Sequence, residues 1–304
     1  MSGVMVLHPA GESTNSLGGR TIHGLIRRAL FWYIFFVILA QQGTFVLVAG
    51  LGLDFDPAVM VWVLPAIIPI SAMVWRVVAE RDRLAMFALE PWPLWVVTGV
   101  LLFSFWSGGY FLVGFLTDPA RATLLPPEFE RFDRFVPFSP SFVFLYLTVY
   151  PAMLLPFLHA RRPGVLVRYA IGTVVMLLIS YVIFLLMPVA FPRPSLPEPW
   201  SSFPVWVLKI VHGQDPPWNC LPSTHCAVAL LSALALYETN RRLGVWAFAT
   251  AFSIATSTVF TKQHYIVDAL AGFALAGITY WAVWWIWQNP DRLPEAARRI
   301  STGD

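Results

Sequence analysis

The sequence predicts an all-α, multi-pass integral membrane bundle of about eight transmembrane helices, and three observations lead there. Apolar side chains make up 58% of the 304 residues and charged ones only 12%, against roughly 45–50% and 25% in soluble domains. The apolar residues gather in stretches close to the roughly 20 residues that about 30 Å of hydrocarbon requires. Between those stretches the basic residues fall unevenly, 14 of the 20 on one side, as orientation by cytoplasmic Lys and Arg demands.

Taken in order, residues 1–28 are polar and run into an apolar span with no small-residue cleavage site, so they read as a cytoplasmic tail and not a removable signal. Spans at 29–52 and 58–75 form an additional amino-terminal pair within residues 29–92. Residues 93–288 form a six-helix body, with spans at 93–116, 141–158, 166–190, 224–239, 245–261 and 265–287, and residues 289–304 are a second cytoplasmic tail. The spans at 224–239 and 245–261 are short and bear polar motifs at their outer ends, which places those ends in a water-filled recess. No internal repeat or low-complexity linker divides the chain.

With the amino terminus inside, the inner segments hold Arg20, Arg27, Arg28, Arg76, Arg81, Arg83, Arg161, Arg162, Arg168, Arg241, Arg242, Arg292, Arg298 and Arg299. The outer segments hold Arg121, Arg131, Arg134, Arg193, Lys209 and Lys262. Both termini are then cytoplasmic, and both polar motifs open on the extracytoplasmic face. Two outer loops are long. Residues 118–140 carry mixed charges, whereas 191–222 contain eight prolines with Trp200, Trp206 and Trp218. Within the second, 204–213 reads as a short interfacial helix with Lys209 snorkelling, either packed on the headgroup layer or gating substrate.

A net charge of +3 and a pI of about 9.0 come from loop arginines, which suit anionic lipid. No basic face exists for nucleic acid, so a membrane lipid and the bilayer are the expected partners, with oligomeric state open. Cys220 and Cys226 read as two free thiols, although a disulfide is sterically conceivable. They fit no metal-site spacing.

Two motifs carry chemistry. In Pro222-Ser223-Thr224-His225, serine is a good helix cap, and the first-turn amides with the helix dipole favour an anion. A phosphate can rest there on Ser223, Thr224 and the amides, close to His225; a capped helix with an interfacial histidine is the plainer alternative. In His264-Tyr265-Ile266-Val267-Asp268 the imidazole and carboxylate are four residues apart and share a helix face. The carboxylate can hold one ring nitrogen and free the other to attack. Ionisable groups at the edge of a span tend to be functional, although a purely structural pair is the competing reading. Lys262 either neutralises phosphate oxygens or snorkels at the boundary. His212, His225, His264 and Asp268 lack close ligand spacing, so no metal or other cofactor is expected.

These residues resemble the type 2 phosphatidic acid phosphatase (PAP2) superfamily, whose signatures are K-x6-R-P, P-S-G-H and S-R-x5-H-x3-D. Arg193-Pro194 looks like the end of the first, Pro222 to His225 like the second, and Ser257-Thr258 through His264 to Asp268 like the third. The resemblance spans residues 93–287. It implies metal-independent catalysis through a phosphohistidine: His264 attacking phosphorus, Asp268 orienting it, His225 protonating the departing alcohol and then activating the acceptor. Arg193, Ser223 and Thr224 would hold the phosphoryl oxygens. Three positions depart from the pattern: Leu186 stands for lysine, Thr224 for glycine and Thr258 for arginine, so two cationic ligands are missing and Lys262 is the candidate substitute. The stretch from Thr258 to His264 looks closer to the inositolphosphotransferase-like branch.

The expected function is hydrolysis of a lipid phosphate or polyprenyl pyrophosphate in a membrane of the bacterial inner (plasma) type. Transfer of a phospho-headgroup, such as inositol phosphate, to a lipid alcohol is the alternative. A non-catalytic scaffold or transporter is the reading from another class.

Overall fold

The computed structural model describes residues 92–159, 162–196 and 202–289, with backbone only for 92–97. The expected spans at 29–52 and 58–75, the first expected tail and all of the second beyond Asn289 lie outside the described residues. Nine helices are defined within them: α1 (Trp92–Leu116), α2 (Pro127–Glu130), α3 (Val143–Leu147), α4 (Val149–His159), α5 (Pro163–Leu186), α6 (Phe203–Gln214), α7 (Thr224–Thr239), α8 (Arg241–Phe260) and α9 (Ile266–Trp287). Short 3-10 turns join them, and among the described residues the only β pairing is two isolated bridges, from Val189 to Thr123 and to Asn219.

Five segments are long and apolar enough to cross a membrane: Thr98–Leu116, Pro140–His159, Pro163–Leu186, Arg241–Phe260 and Ile266–Trp287. The second contains the α3–α4 break at Thr148. Pro151 explains it, because it offers no N–H to the Leu147 carbonyl and its ring crowds that oxygen. The helix expected at 166–190 runs instead over Pro163–Leu186. Pro163 is favourable at a first helical position, while Pro188 pushes the residue before it out of the helical region. Likewise α8 begins at Arg241 and not at 245, because the Asn240 side chain accepts the Leu243 N–H at 3.2 Å and caps the helix there. The interfacial helix expected at 204–213 is α6, capped by Ser202.

α5 shows why these helices suit lipid. Ile171, Val175, Leu178 and Val182 are exposed along one stripe, while Met176, Leu177 and Phe184 are buried on the other side. A helix apolar all round has no water-facing side. Polar contacts then tie the helices within the bundle: Tyr169 Oη donates to the Met153 carbonyl at 2.8 Å and bonds Ser232 Oγ at 2.7 Å.

α7 is central, packed against α4, α5, α8 and α9. At 16 residues it is short for a span, yet most of its side chains are buried, including Ala227, Ala229, Ser232, Ala233 and Ala235. Small residues let neighbouring backbones approach closely. Asn240 ends α7 and starts α8, so the two run antiparallel. The start of α7, the end of α8 and the start of α9 therefore meet at one end of the bundle. At the other end, Glu238 accepts from Arg168 at 2.7 Å and from Tyr280 at 2.6 Å.

Candidate active site

His264 is positioned by the end of α8. Thr261 closes that helix and Lys262 follows with φ 57°, the left-handed residue of a Schellman turn. The Gln263 N–H reaches back to the Thr258 carbonyl at 2.9 Å and the Lys262 N–H to Val259 at 3.2 Å. His264 N–H also donates to the Thr258 carbonyl, at 3.2 Å. Position 258 thus works through its backbone, while its hydroxyl donates to the Ala255 carbonyl at 2.8 Å.

α9 starts just beyond. Asp268 Oδ2 accepts the Tyr265 N–H at 2.9 Å, and Asp133 Oδ1 from the 118–140 loop accepts the Ile266 N–H at 2.9 Å. Two carboxylates at a helix start are favourably placed in the helix dipole. Burial raises the Asp133 carboxyl above its usual range. Asp268 Oδ2 also lies 3.5 Å from His264 Nδ1, a contact too long to be a hydrogen bond.

α7 brings the second imidazole to the first. Ser223 caps it, accepting from the Cys226 N–H at 3.4 Å, while its own N–H donates to the Asp268 carbonyl at 3.0 Å. His225 Nδ1 comes to 3.4 Å from His264 Nε2. On its far side, His225 Nε2 bonds the Tyr146 hydroxyl at 2.7 Å, and the rings of Trp106 and Tyr110 pack edge-on against the imidazole. His225 is 5% exposed, His264 1% and Asp268 0%, so all three side chains are buried within the bundle.

Arg193 is anchored beside them. Its guanidinium donates to the carbonyls of His212 and Asp215 and to Gln263 Oε1, each at 2.7 Å, and to Asp215 Oδ2 at 2.9 Å. Asp215 also accepts a hydrogen bond from the Tyr110 hydroxyl. His212 Nε2–H donates to the Thr261 carbonyl at 3.0 Å; burial, followed by the Arg193 charge, lowers its pKa to about 4. His212 therefore acts as a neutral tie between α6 and the end of α8.

Lys262 is turned to another task. Its Nζ donates to the carbonyls of Val136 at 2.7 Å and Asp133 at 3.1 Å, and burial lowers its pKa. The structure thus brings His225, His264, Asp268, Ser223, Thr224 and Arg193 to one end of the bundle, with the Lys262 ammonium on the 118–140 loop. Leu186, where the resemblance expects lysine, is 68% exposed at the end of α5. Cys220 and Cys226 are free and buried.

Several polar atoms here are buried without a hydrogen-bond partner: Arg193 Nε, Gln263 Nε2, Thr224 Oγ1, His264 Nδ1 and Asp268 Oδ1. Natural proteins leave few such groups, and the first three can all donate to an anion. Gln263, Tyr146 and Asp215 were not singled out by the sequence. Gln263 alone had a usable signal, its place beside His264.

Residues 137–282 match the model of the PAP2 superfamily. That stretch includes the residues that resemble the three signatures and is narrower than the expected 93–287, leaving α1 outside. No curated protein and no solved structure matches the chain significantly. The family match and the apolar helices point together to a membrane phosphatase-type enzyme.

Proposed function

We propose that the chain is a metal-independent lipid phosphoryl-transfer enzyme of the PAP2 type, acting through a phosphohistidine at the extracytoplasmic face on a lipid phosphate or polyprenyl pyrophosphate. The observation that carries this reading is the pairing of His264 Nε2 with His225 Nδ1 at 3.4 Å, with Asp268 behind His264. Substrate has to part the two rings, because phosphorus cannot sit between nitrogens in contact.

In the first displacement the Nε2 lone pair of His264 forms the N–P bond while the P–O bond to the lipid alcohol breaks. The negative charge of the bound phosphate favours the imidazolium form of His225, which holds Tyr146 at Nε2 and passes its Nδ1–H to the leaving oxygen. Asp268 offsets the charge on the phosphorylated ring of His264. In the second, His225 takes a proton from the acceptor, whose oxygen displaces His264. Arg193 Nε, Gln263 Nε2 and Thr224 Oγ1 are donors suited to the phosphoryl oxygens, with Ser223 at the helix start beside them. Gln263 supplies, without charge, part of what the missing cations give elsewhere in the family. Lys262 contributes by holding the loop and not by touching phosphate.

One observation favours a second reading. Both imidazoles are buried, which suits an enzyme that protects its intermediate for a lipid alcohol, as in the inositolphosphotransferase-like branch.

The test is to quench purified protein with phosphoryl-labelled lipid and map the label. Acid-labile label on His264, absent from His264→Ala, supports the proposal; label elsewhere, or turnover in His264→Ala, overturns it. Adding inositol or ceramide separates the readings: free phosphate in both tubes marks a hydrolase, and a new labelled lipid only with acceptor marks a transferase.

A further inference from the structure

Cys220 has no part in this chemistry, yet its Sγ, a ring nitrogen of His264 and a carboxylate oxygen of Asp268 all lie within 4.8 Å of one another, in three buried side chains. His264 Nδ1 and Asp268 Oδ1 have no hydrogen-bond partner. Asp268 Oδ2 and His264 Nδ1 stand 3.5 Å apart. That separation suits a tetrahedral ion, since bonds of about 2.0–2.2 Å from zinc to nitrogen and oxygen place the two ligands about 3.4 Å apart. A thiolate, an imidazole and a carboxylate form a zinc-type donor set, whereas calcium and magnesium take oxygen ligands.

We propose that Cys220, His264 and Asp268 form an inhibitory zinc site, with three protein ligands and a fourth position left for water or a phosphate oxygen. Zinc on His264 Nδ1 occupies the place a proton holds while Nε2 carries the phosphoryl group, and it takes Asp268 from its orienting role. Metal and phosphoryl transfer then exclude one another. Binding requires Cys220 to give up its S–H contact with the Pro217 carbonyl at 3.2 Å and to release its proton, so affinity rises with pH. The inhibitory effect rests on the proposed role of His264; the binding does not.

Cobalt(II) titrated into the full-length protein in detergent tests the binding directly. Wild type and Cys226→Ser, which alters the other buried thiol, should show thiolate-to-cobalt charge-transfer absorption with the intense d–d bands of a four-coordinate ion. Cys220→Ser should lose the charge-transfer band, and zinc should displace cobalt from wild type. In the activity arm, zinc should inhibit wild-type lipid-phosphate turnover about tenfold or more strongly than that of Cys220→Ser, whose zinc-free turnover stays at the wild-type level. No thiolate band in wild type, an unchanged band in Cys220→Ser, or equal inhibition of both overturns the site. A cobalt spectrum dependent on Cys220 in a protein that turns over no phosphate ester upholds the metal site and overturns the phosphatase reading.

Discussion

Gly272 on α9 lies so close to Ser223 that an added β-carbon would fall 2.3 Å from the Ser223 carbonyl oxygen. That contact sets the two motif-bearing helix starts against each other. Gly272→Ala should force them apart, costing about 1–3 kcal/mol in stability and, through misplacement of His225 against His264, about 10²-fold in turnover. Thermal unfolding and kcat on a short-chain lipid phosphate check it; unchanged kcat would show that the contact does not position the site.

His225→Ala removes the proposed acid without touching the nucleophile. Turnover of a lipid phosphate should fall by about 10²–10⁴-fold, whereas a p-nitrophenyl ester, whose leaving group needs no proton, should still phosphorylate His264. Equal losses on both substrates would assign His225 a different job.

Tyr146→Phe deletes the hydroxyl at 2.7 Å from His225 Nε2. Leaving a buried nitrogen unpaired costs about 1–3 kcal/mol. The expected outcome is a kcat reduced about tenfold or more, with KM little changed and the pH profile displaced. A KM change alone would move Tyr146 from orienting His225 to binding substrate.

Lys262 combines a left-handed backbone with two Nζ contacts to the 118–140 loop, and two variants separate these features. Lys262→Ala keeps the backbone strain and loses the contacts, while Lys262→Gly loses both. The glycine variant should therefore be more stable than the alanine variant by about 1 kcal/mol, read as a higher Tm. The reverse order would mean that the left-handed turn contributes no strain.

His212 gives the fold a pH dependence. Its folded pKa of about 4 lies below the ordinary 6.5, because burial and the Arg193 charge disfavour the imidazolium. Above about pH 6.5 both folded and unfolded forms are neutral and this contribution is fully present. As pH falls toward about 4 the unfolded chain takes up the proton first, so stability drops across that window. The slope of Tm against pH should flatten there in His212→Gln; an unchanged slope would place the effect on another group.

Much of the fold was legible because lipid imposes a simple rule: apolar runs near the required length became α1, α5, α8 and α9 with small errors at their ends. Those errors have local causes, the cap at Asn240 and the stop imposed by Pro188. The shared end of His225 and His264 followed from the distribution of arginines and from connectivity. Tyr146 and Asp215 were not legible. Tyr146 lies 79 residues from His225 and Asp215 lies 105 from Tyr110, in stretches where a tyrosine or an aspartate is unremarkable. Lys262 was visible as a cation near His264, but the direction of its side chain depends on the left-handed backbone, which no charge pattern reveals.

Asp133 bonds the first amide of α9 through its carboxylate and receives the Lys262 ammonium on its carbonyl, so both flanks of the turn bearing His264 hang from one loop residue. A protease nick near position 133, or a chimera that exchanges residues 118–140 alone, should silence His264 while leaving every proposed phosphate ligand in the chain. Loop and turn are one inheritable unit, to be transplanted together or not at all.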